Sequence, residues 1–225
     1  MILSSMNEAA VLRPAGVIFD MDGLMLDTER PLLPLWPWAT KPFGWDIPPE
    51  MVLRTIGING NDMRALFLRE YGPSFPYDGI RDEFNRLIHQ EFEKGIAHKP
   101  GLVVLLDRLA SLRIPLAVAT STSRERAVWK LRIAGILDRF AVLACGDEIL
   151  NGKPAPDIFL LAAERLGKAP CDCVGFEDSP AGLQGLHTAG MRSVFVKDLV
   201  EPPPEVCATV WRQCTDLAEA AGLFG

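Results

Sequence analysis

Apolar positions fall into two rhythms along this chain. Gly16-Val17-Ile18-Phe19 is a short run rich in β-branched and aromatic side chains that stops at Asp20, the pattern of a buried strand. From about Pro100 onward such runs alternate with helical spacing. Leu102 to Leu112 predicts a helix, Leu116 to Ala119 a strand, and Arg124 to Ala134 a helix closed by Gly135. Val142 to Cys145 is a further strand, and Pro156 to Leu166 a helix with Pro at its start and Gly167 past its end. Cys173 to Phe176, Ala181 to Ala189 and Ser193 to Val196 continue the series as strand, helix and strand. Alternation of this kind predicts a parallel sheet with helices on both faces, an α/β core. Residues 30–98 break the rhythm. Asp62 to Tyr71 and Ile80 to Lys94 have helical periodicity, and no stretch there reads as a strand. The expected organisation is a discontinuous core, 14–29 and 99–215, interrupted by an all-helical cap domain over 30–98. The cap's first segment, Pro31 to Pro49, holds six prolines and three of the five tryptophans. With Pro34 and Pro37 so placed, its first helix is expected to be short or bent.

Charge and cysteine content narrow the functional classes. The 225 residues carry 23 Lys and Arg against 29 Asp and Glu, a net charge of −6, which excludes a generally basic nucleic-acid binder. No apolar run approaches the roughly 18 residues needed to span a bilayer. Met1 to Pro14 lacks an early basic residue and a long apolar core, so no secretory signal is expected. Five cysteines, an odd number at irregular spacing, read as reduced thiols, and the expected location is cytoplasmic. Cys171-Asp172-Cys173 lacks Cys-x-x-Cys spacing, and His89, His98 and His187 are scattered. A monomer or weak dimer is expected, with neither nucleic acid nor membrane as partner.

Chemistry concentrates at the predicted strand ends. Open parallel sheets bind ligands beyond the carboxyl ends of their strands. After the first strand come Asp20, Asp22 and Gly23; after the second, Thr120 and Ser121. After the third, a loop passes Gly146 and Asp147 to reach Lys153; after the fourth come Glu177, Asp178 and Ser179. Singly these read as a solvated turn, a helix cap, a surface lysine and an N-terminal helix charge. An EF-hand loop starting at Asp20 fails, because Met25 and Pro31 stand where Gly and Glu are required. Gathered on one edge, the carboxylates need a cation among them, and oxygen ligands suit Mg²⁺. Mg²⁺, an ammonium and hydroxyls together clamp a phosphoryl group. One carboxylate can attack phosphorus to form an aspartyl-phosphate, and a second can serve as general acid and then general base.

The segment Phe19-Asp20-Met21-Asp22-Gly23-Leu24-Met25-Leu26-Asp27-Thr28-Glu29 resembles the first motif of the haloacid-dehalogenase-like (HAD) hydrolases. It is most similar to their helical-cap phosphatase and beta-phosphoglucomutase-like branch. Thr120 resembles the second motif, Gly152-Lys153-Pro154-Ala155-Pro156-Asp157 the third, and Gly175-Phe176-Glu177-Asp178-Ser179-Pro180-Ala181-Gly182 the fourth. The likeness extends over residues 14–200. It implies a Rossmann-like core and an inserted cap hinged near Asp27 to Pro31 and Ile96 to Gly101, closing over the site. It implies Asp20 as nucleophile and metal ligand, and Asp22 as general acid/base with its carbonyl on the metal. Thr120, Ser121 and Lys153 would bind phosphate, and Asp178 and Glu177 would complete the Mg²⁺ site. Asp22 argues against dehalogenation, since that branch lacks the second Asp. Polar cap candidates for the leaving group are Thr28, Glu29, Arg54, Asn59, Asn61, Asp62 and Arg64, while Trp36, Trp38, Phe43 and Trp45 are expected to form the cap's own core. The expected activity is a Mg²⁺-dependent phosphatase acting on a small phosphorylated metabolite such as a sugar phosphate. A sugar phosphomutase is the alternative, although Arg30-Pro31-Leu32-Leu33 lacks the His common in mutases. A non-catalytic phosphometabolite-binding protein is the second alternative.

Overall fold

The computed structural model describes residues 12–55 and 60–225. The chain runs β1 (Gly16–Phe19), then helices α1 (Glu29–Leu32), α2 (Leu35–Thr40), α3 (Pro49–Leu53), α4 (Gly60–Tyr71) and α5 (Tyr77–Phe92). There follow α6 (Leu102–Ser111), β2 (Leu116–Thr120), α7 (Arg124–Ile133), β3 (Val142–Cys145), α8 (Asp157–Leu166) and β4 (Cys173–Glu177). The chain ends with α9 (Pro180–Thr188), β5 (Arg192–Val196), α10 (Pro204–Cys207), β6 (Arg212–Cys214) and α11 (Leu217–Ala221). Among the described residues the six strands are all parallel, in the order β3-β2-β1-β4-β5-β6. The chain builds one half of the sheet outward from β1 and then returns to build the other from β4. The β1/β4 seam is therefore the switch point at which an open parallel sheet leaves a crevice.

Side-chain alternation explains why helices cover both faces. Val17 and Phe19 belong to one buried cluster with Leu105, Leu109 and Leu217, while Ile18 between them joins Ile158, Phe159 and Leu186 on the other. A strand apolar at every position must be buried on both sides.

The inserted segment forms a small helical body around stacked aromatic rings. Trp36 lies 4.2 Å from Phe84 and 5.1 Å from Phe67 between ring centroids, and Trp45 packs edge-on against Phe75 at 5.0 Å. Two of the four aromatics expected in this core are elsewhere: Trp38 is 65% exposed and Phe43 38%. The chain from Glu29 to Thr40 divides into α1 and α2, with Pro34 as the cap of the second. Both linkers run side by side. Leu26 and His98 form an antiparallel bridge, Asp27 N donates to Ala97 O at 2.9 Å, and Lys99 N donates to Met25 O at 2.9 Å. Asp198, buried beyond β5, accepts at Oδ1 from Lys99 Nζ at 2.6 Å and from Arg30 Nη2 at 2.5 Å, tying both linkers to the core.

The sequence pattern does not reach β6 and α11, and the core continues past the expected limit of 215. Asp216 accepts from Glu219 N at 2.8 Å, and Glu219 accepts from Thr215 N at 2.7 Å, a reciprocal cap that starts the five-residue α11. Leu217 is fully buried, Leu217 N donates to Pro100 O at 3.1 Å, and the Phe224 ring sits 6.2 Å from Phe176. Leu217→Ala is expected to cost about 2–5 kcal/mol of stability, read as a lower urea midpoint at unchanged slope.

Candidate active site

Asp20 follows the central strand, and its backbone N–H donates to Phe176 O of the neighbouring β4 at 3.0 Å. The crevice edge thus places its carboxylate beside those of Glu177 and Asp178. Lys153 reaches between them. Its ammonium donates to Asp20 Oδ1 and, at 2.5 Å, to Glu177 Oε1, with all three groups buried. The other Glu177 oxygen accepts from Asp178 N and Ser179 N, both at 2.8 Å, and from Ser179 Oγ at 3.0 Å. A Cβ at position 182 would lie 1.7 Å from Glu177 Oε1, so only glycine lets α9 begin this close to the carboxylate. Gly23 has φ +83°, and a Cβ there would stand 2.3 Å from Asp178 Oδ2. Gly23 and Gly182 are thus both explained by close approach to a carboxylate.

The loop that delivers Lys153 is anchored at Glu148. Its carboxylate accepts from Cys145 N at 2.9 Å, from Arg124 Nε at 2.9 Å and from Arg165 Nη1 at 2.8 Å. Bonds from Arg165 first, then Arg124, lower its pKa from 4.5 to about 2.

Asp22 lies across from this cluster. It accepts from Lys130 Nζ at 2.6 Å, from Thr122 Oγ1 at 2.7 Å and from Thr28 Oγ1 at 2.8 Å. Burial alone would raise its pKa; the Lys130 charge and the three hydrogen bonds outweigh that and hold it below the ordinary range. Asp20 behaves oppositely. Burial pushes it up to about 8 despite Lys153, with Glu177 and Asp22 adding to the rise. Burial and then Glu177, Asp20 and Asp198 raise Asp178 as well. Asp198 Oδ2 is buried without a partner among the described residues.

The donor set fits a hard divalent cation. Asp20, Glu177 and Asp178 each offer a carboxylate oxygen, all within 4.8 Å of one another. Two of these buried acids are held toward neutrality while one lysine serves the group, so the site is short of positive charge.

Asp20 and Asp22 open into a cavity of about 770 Å³ between the core and the insertion. Asp20, Asp22, Thr120 and Ser121 line it from the strand ends, and Thr28, Glu29, Asn61 and Asp62 from the first linker and the insertion. Thr120 is buried and accepts from Thr122 N at 3.1 Å. Burial and the nearby Asp22 push Glu29 up to about 7. Two expected cap residues are not on the cavity wall. Arg54 pairs with Glu70 at 2.8 Å, and Arg64 with Asp78 at 3.1 Å, because each finds an exposed carboxylate on its own helical body. Asn59 lies outside the described residues. Thr122, Lys130, Arg81 and Arg126 line the cavity without having been singled out from the sequence. A signal for three of the α7 segment's residues exists: Ser123, Arg126 and Lys130 recur at i, i+3 and i+7, a polar stripe on one face.

A family model described as haloacid dehalogenase-like hydrolase matches residues 14–190. A phosphorylated carbohydrates phosphatase of Thermotoga maritima is 31% identical over 189 residues, covering 80% of this chain and 83% of the relative. Hexitol phosphatase A of Escherichia coli is 34% identical over 195 residues, 85% of this chain and 87% of the relative. Among solved structures, a beta-phosphoglucomutase of Clostridium difficile superposes with a TM-score of 0.79 at 25% identity, covering 92% of each chain.

Because Glu148 is ionised at a depressed pKa, its stabilisation is complete above pH 4.5 and is lost as pH falls through about 2. The stability difference between wild type and Glu148→Gln in urea is therefore expected to shrink steadily over that window.

Proposed function

The chain belongs to the haloacid dehalogenase-like hydrolases, and on that premise we propose that it hydrolyses small phosphomonoesters, sugar phosphates foremost, through an aspartyl-phosphate on Asp20. The observation that carries this reading is a buried Asp20 held by Lys153 beside Glu177 and Asp178, with a second carboxylate, Asp22, held by Lys130, Thr122 and Thr28 on the same cavity. The relatives that are carbohydrate and hexitol phosphatases support a sugar phosphate as substrate. A cavity wall mixing Leu33, Trp36 and Phe84 with hydroxyl and charged groups suits a polyol.

Asp20 attacks the phosphorus, and the P–O bond to the leaving group breaks. Lys153 and Thr120, with Ser121, hold the phosphoryl oxygens in line for that attack. Asp22 gives the leaving oxygen its proton and then takes one from the water that hydrolyses the aspartyl-phosphate. The bonds from Lys130, Thr122 and Thr28 favour its ionised, basic form, and an incoming phosphoryl anion favours the protonated form, so the two half-reactions draw on both states. Asp20, Asp178, Glu177 and the Asp22 carbonyl would hold Mg²⁺. Bound there, Mg²⁺ supplies the charge neutralisation that phosphoryl transfer needs.

The likeness to a beta-phosphoglucomutase supports a second reading, in which the phosphoryl group returns to a sugar. Against it, Glu29-Arg30-Pro31-Leu32-Leu33 contains no His, and both leucines line the cavity.

Phosphate release from a panel of sugar phosphates and an aryl phosphate, with Mg²⁺ and with chelator, tests the proposal. Release is expected to require the metal and to vanish in Asp20→Asn; metal-dependent release that survives in this variant sinks it. Asp22→Asn is expected to lose roughly 10²–10⁴-fold on alkyl phosphates and much less on an aryl phosphate, whose leaving oxygen needs little protonation.

A further inference from the structure

Two arginines face the cavity from opposite sides of the core–insertion seam. Arg81 projects from α5 and Arg126 from α7. Both are half-buried, and neither has a carboxylate at ion-pair distance among the described residues. Arg126 donates to Asn85 Oδ1 at 3.1 Å, a neutral partner; Arg81 donates to Met63 Sδ at 3.4 Å and lies 5.8 Å from the Phe84 ring centroid. Burial, and then the charge of Arg81, hold the Arg126 guanidinium below its ordinary pKa against a smaller opposing pull from Asp22, so the two cations act on each other.

The acidic groups on the wall have other commitments. Asp20 is paired with Lys153, and Asp22 with Lys130. Glu29 is pushed up to about 7, Asp147 accepts from Arg124 N at 2.9 Å, and Asp62 sits in the first turn of α4, at the helix's positive end. Two under-neutralised guanidiniums on facing elements therefore present forked donors to the cavity, the arrangement that binds carboxylate or phosphate most strongly.

We propose that Arg81 and Arg126 form a second anion subsite, separate from the groups that hold the transferred phosphoryl, which receives a carboxylate or phosphate carried by the leaving group. This rests on the phosphomonoester-hydrolase reading and narrows it to doubly anionic substrates. An anion between them also relieves the repulsion across the seam and draws the insertion onto the core.

The test compares matched substrates on the wild-type protein with Mg²⁺: 3-phosphoglycerate against glycerol 3-phosphate, and fructose 1,6-bisphosphate against fructose 6-phosphate. The kcat/KM ratio in at least one pair is expected to favour the added anion by about tenfold or more, and the pair that responds identifies carboxylate or phosphate. In Arg81→Gln and Arg126→Gln that ratio is expected to fall toward one, and Arg126→Lys to keep part of it. Ratios near one in both wild-type pairs, alongside metal-dependent hydrolysis of an aryl phosphate, overturn the subsite and leave the hydrolase reading standing. Ratios unchanged in the Gln variants also overturn it. No hydrolysis of any phosphate by the wild type overturns both.

Discussion

Three buried carboxylates around one lysine set the terms for the rest of this structure. Taking a charge out of water costs several kcal/mol even after relaxation, and the β1/β4 seam collects Asp20, Glu177 and Asp178 at one place. Much of the surrounding chain offsets that cost. Lys153 is brought in on a loop pinned by Glu148, and Glu177 is satisfied by the first backbone N–H groups after β4. Gly23 and Gly182 are bare because a methyl would occupy the space of a carboxylate oxygen. The same electrostatic imbalance that would be a defect in a structural core is what prepares the site for a cation and an anionic ligand together.

Asp22 shows how the insertion and the chemistry share residues. One of its partners, Thr28, stands at the start of the insertion's first linker, while Thr122 and Lys130 belong to the core. The tuning of this carboxyl therefore depends on where the linker sits. Across the cavity, α5 contributes Arg81, Phe84, Ile88 and Phe92 to the wall. The insertion thus shapes the leaving-group side of the cavity, and the strand ends shape the phosphoryl side.

Most of the core was legible because β1 to β5 each contain a short, largely apolar run and the helices between them are bounded by Pro, Ser or Gly punctuators. Asp20, Asp22, Thr120, Lys153, Glu177 and Asp178 could be collected by the rule that such sheets bind ligands at their carboxyl edge, and the structure brings them onto one crevice. What escaped had physical reasons. β6 reads Arg-Gln-Cys, an edge strand with two exposed residues and no apolar alternation. Lys130 is a lysine on a helix, indistinguishable by type from a solvated one; its partner Asp22 is 108 residues away. Arg54 and Arg64 sit off the cavity wall, since Glu70 and Asp78 offer them local partners on the insertion. Trp38 is apolar yet lies on the surface, where the Lys41 ammonium sits 5.9 Å from its ring centroid.

The paired linkers carry an architectural consequence. Because the chain leaves the core at Leu26 and re-enters beside it at His98, with Asp198 fastening both passages, the insertion is a closed loop whose two covalent connections to the core lie side by side. The entropic cost of closing such a loop rises only slowly with its length. Helices beyond the linker that carries Thr28 can therefore be lengthened, shortened or replaced with little effect on the strand order. Such an arrangement lets new leaving groups be accommodated by rewriting a cassette, while the strand ends that carry Asp20, Glu177 and Asp178 keep their places.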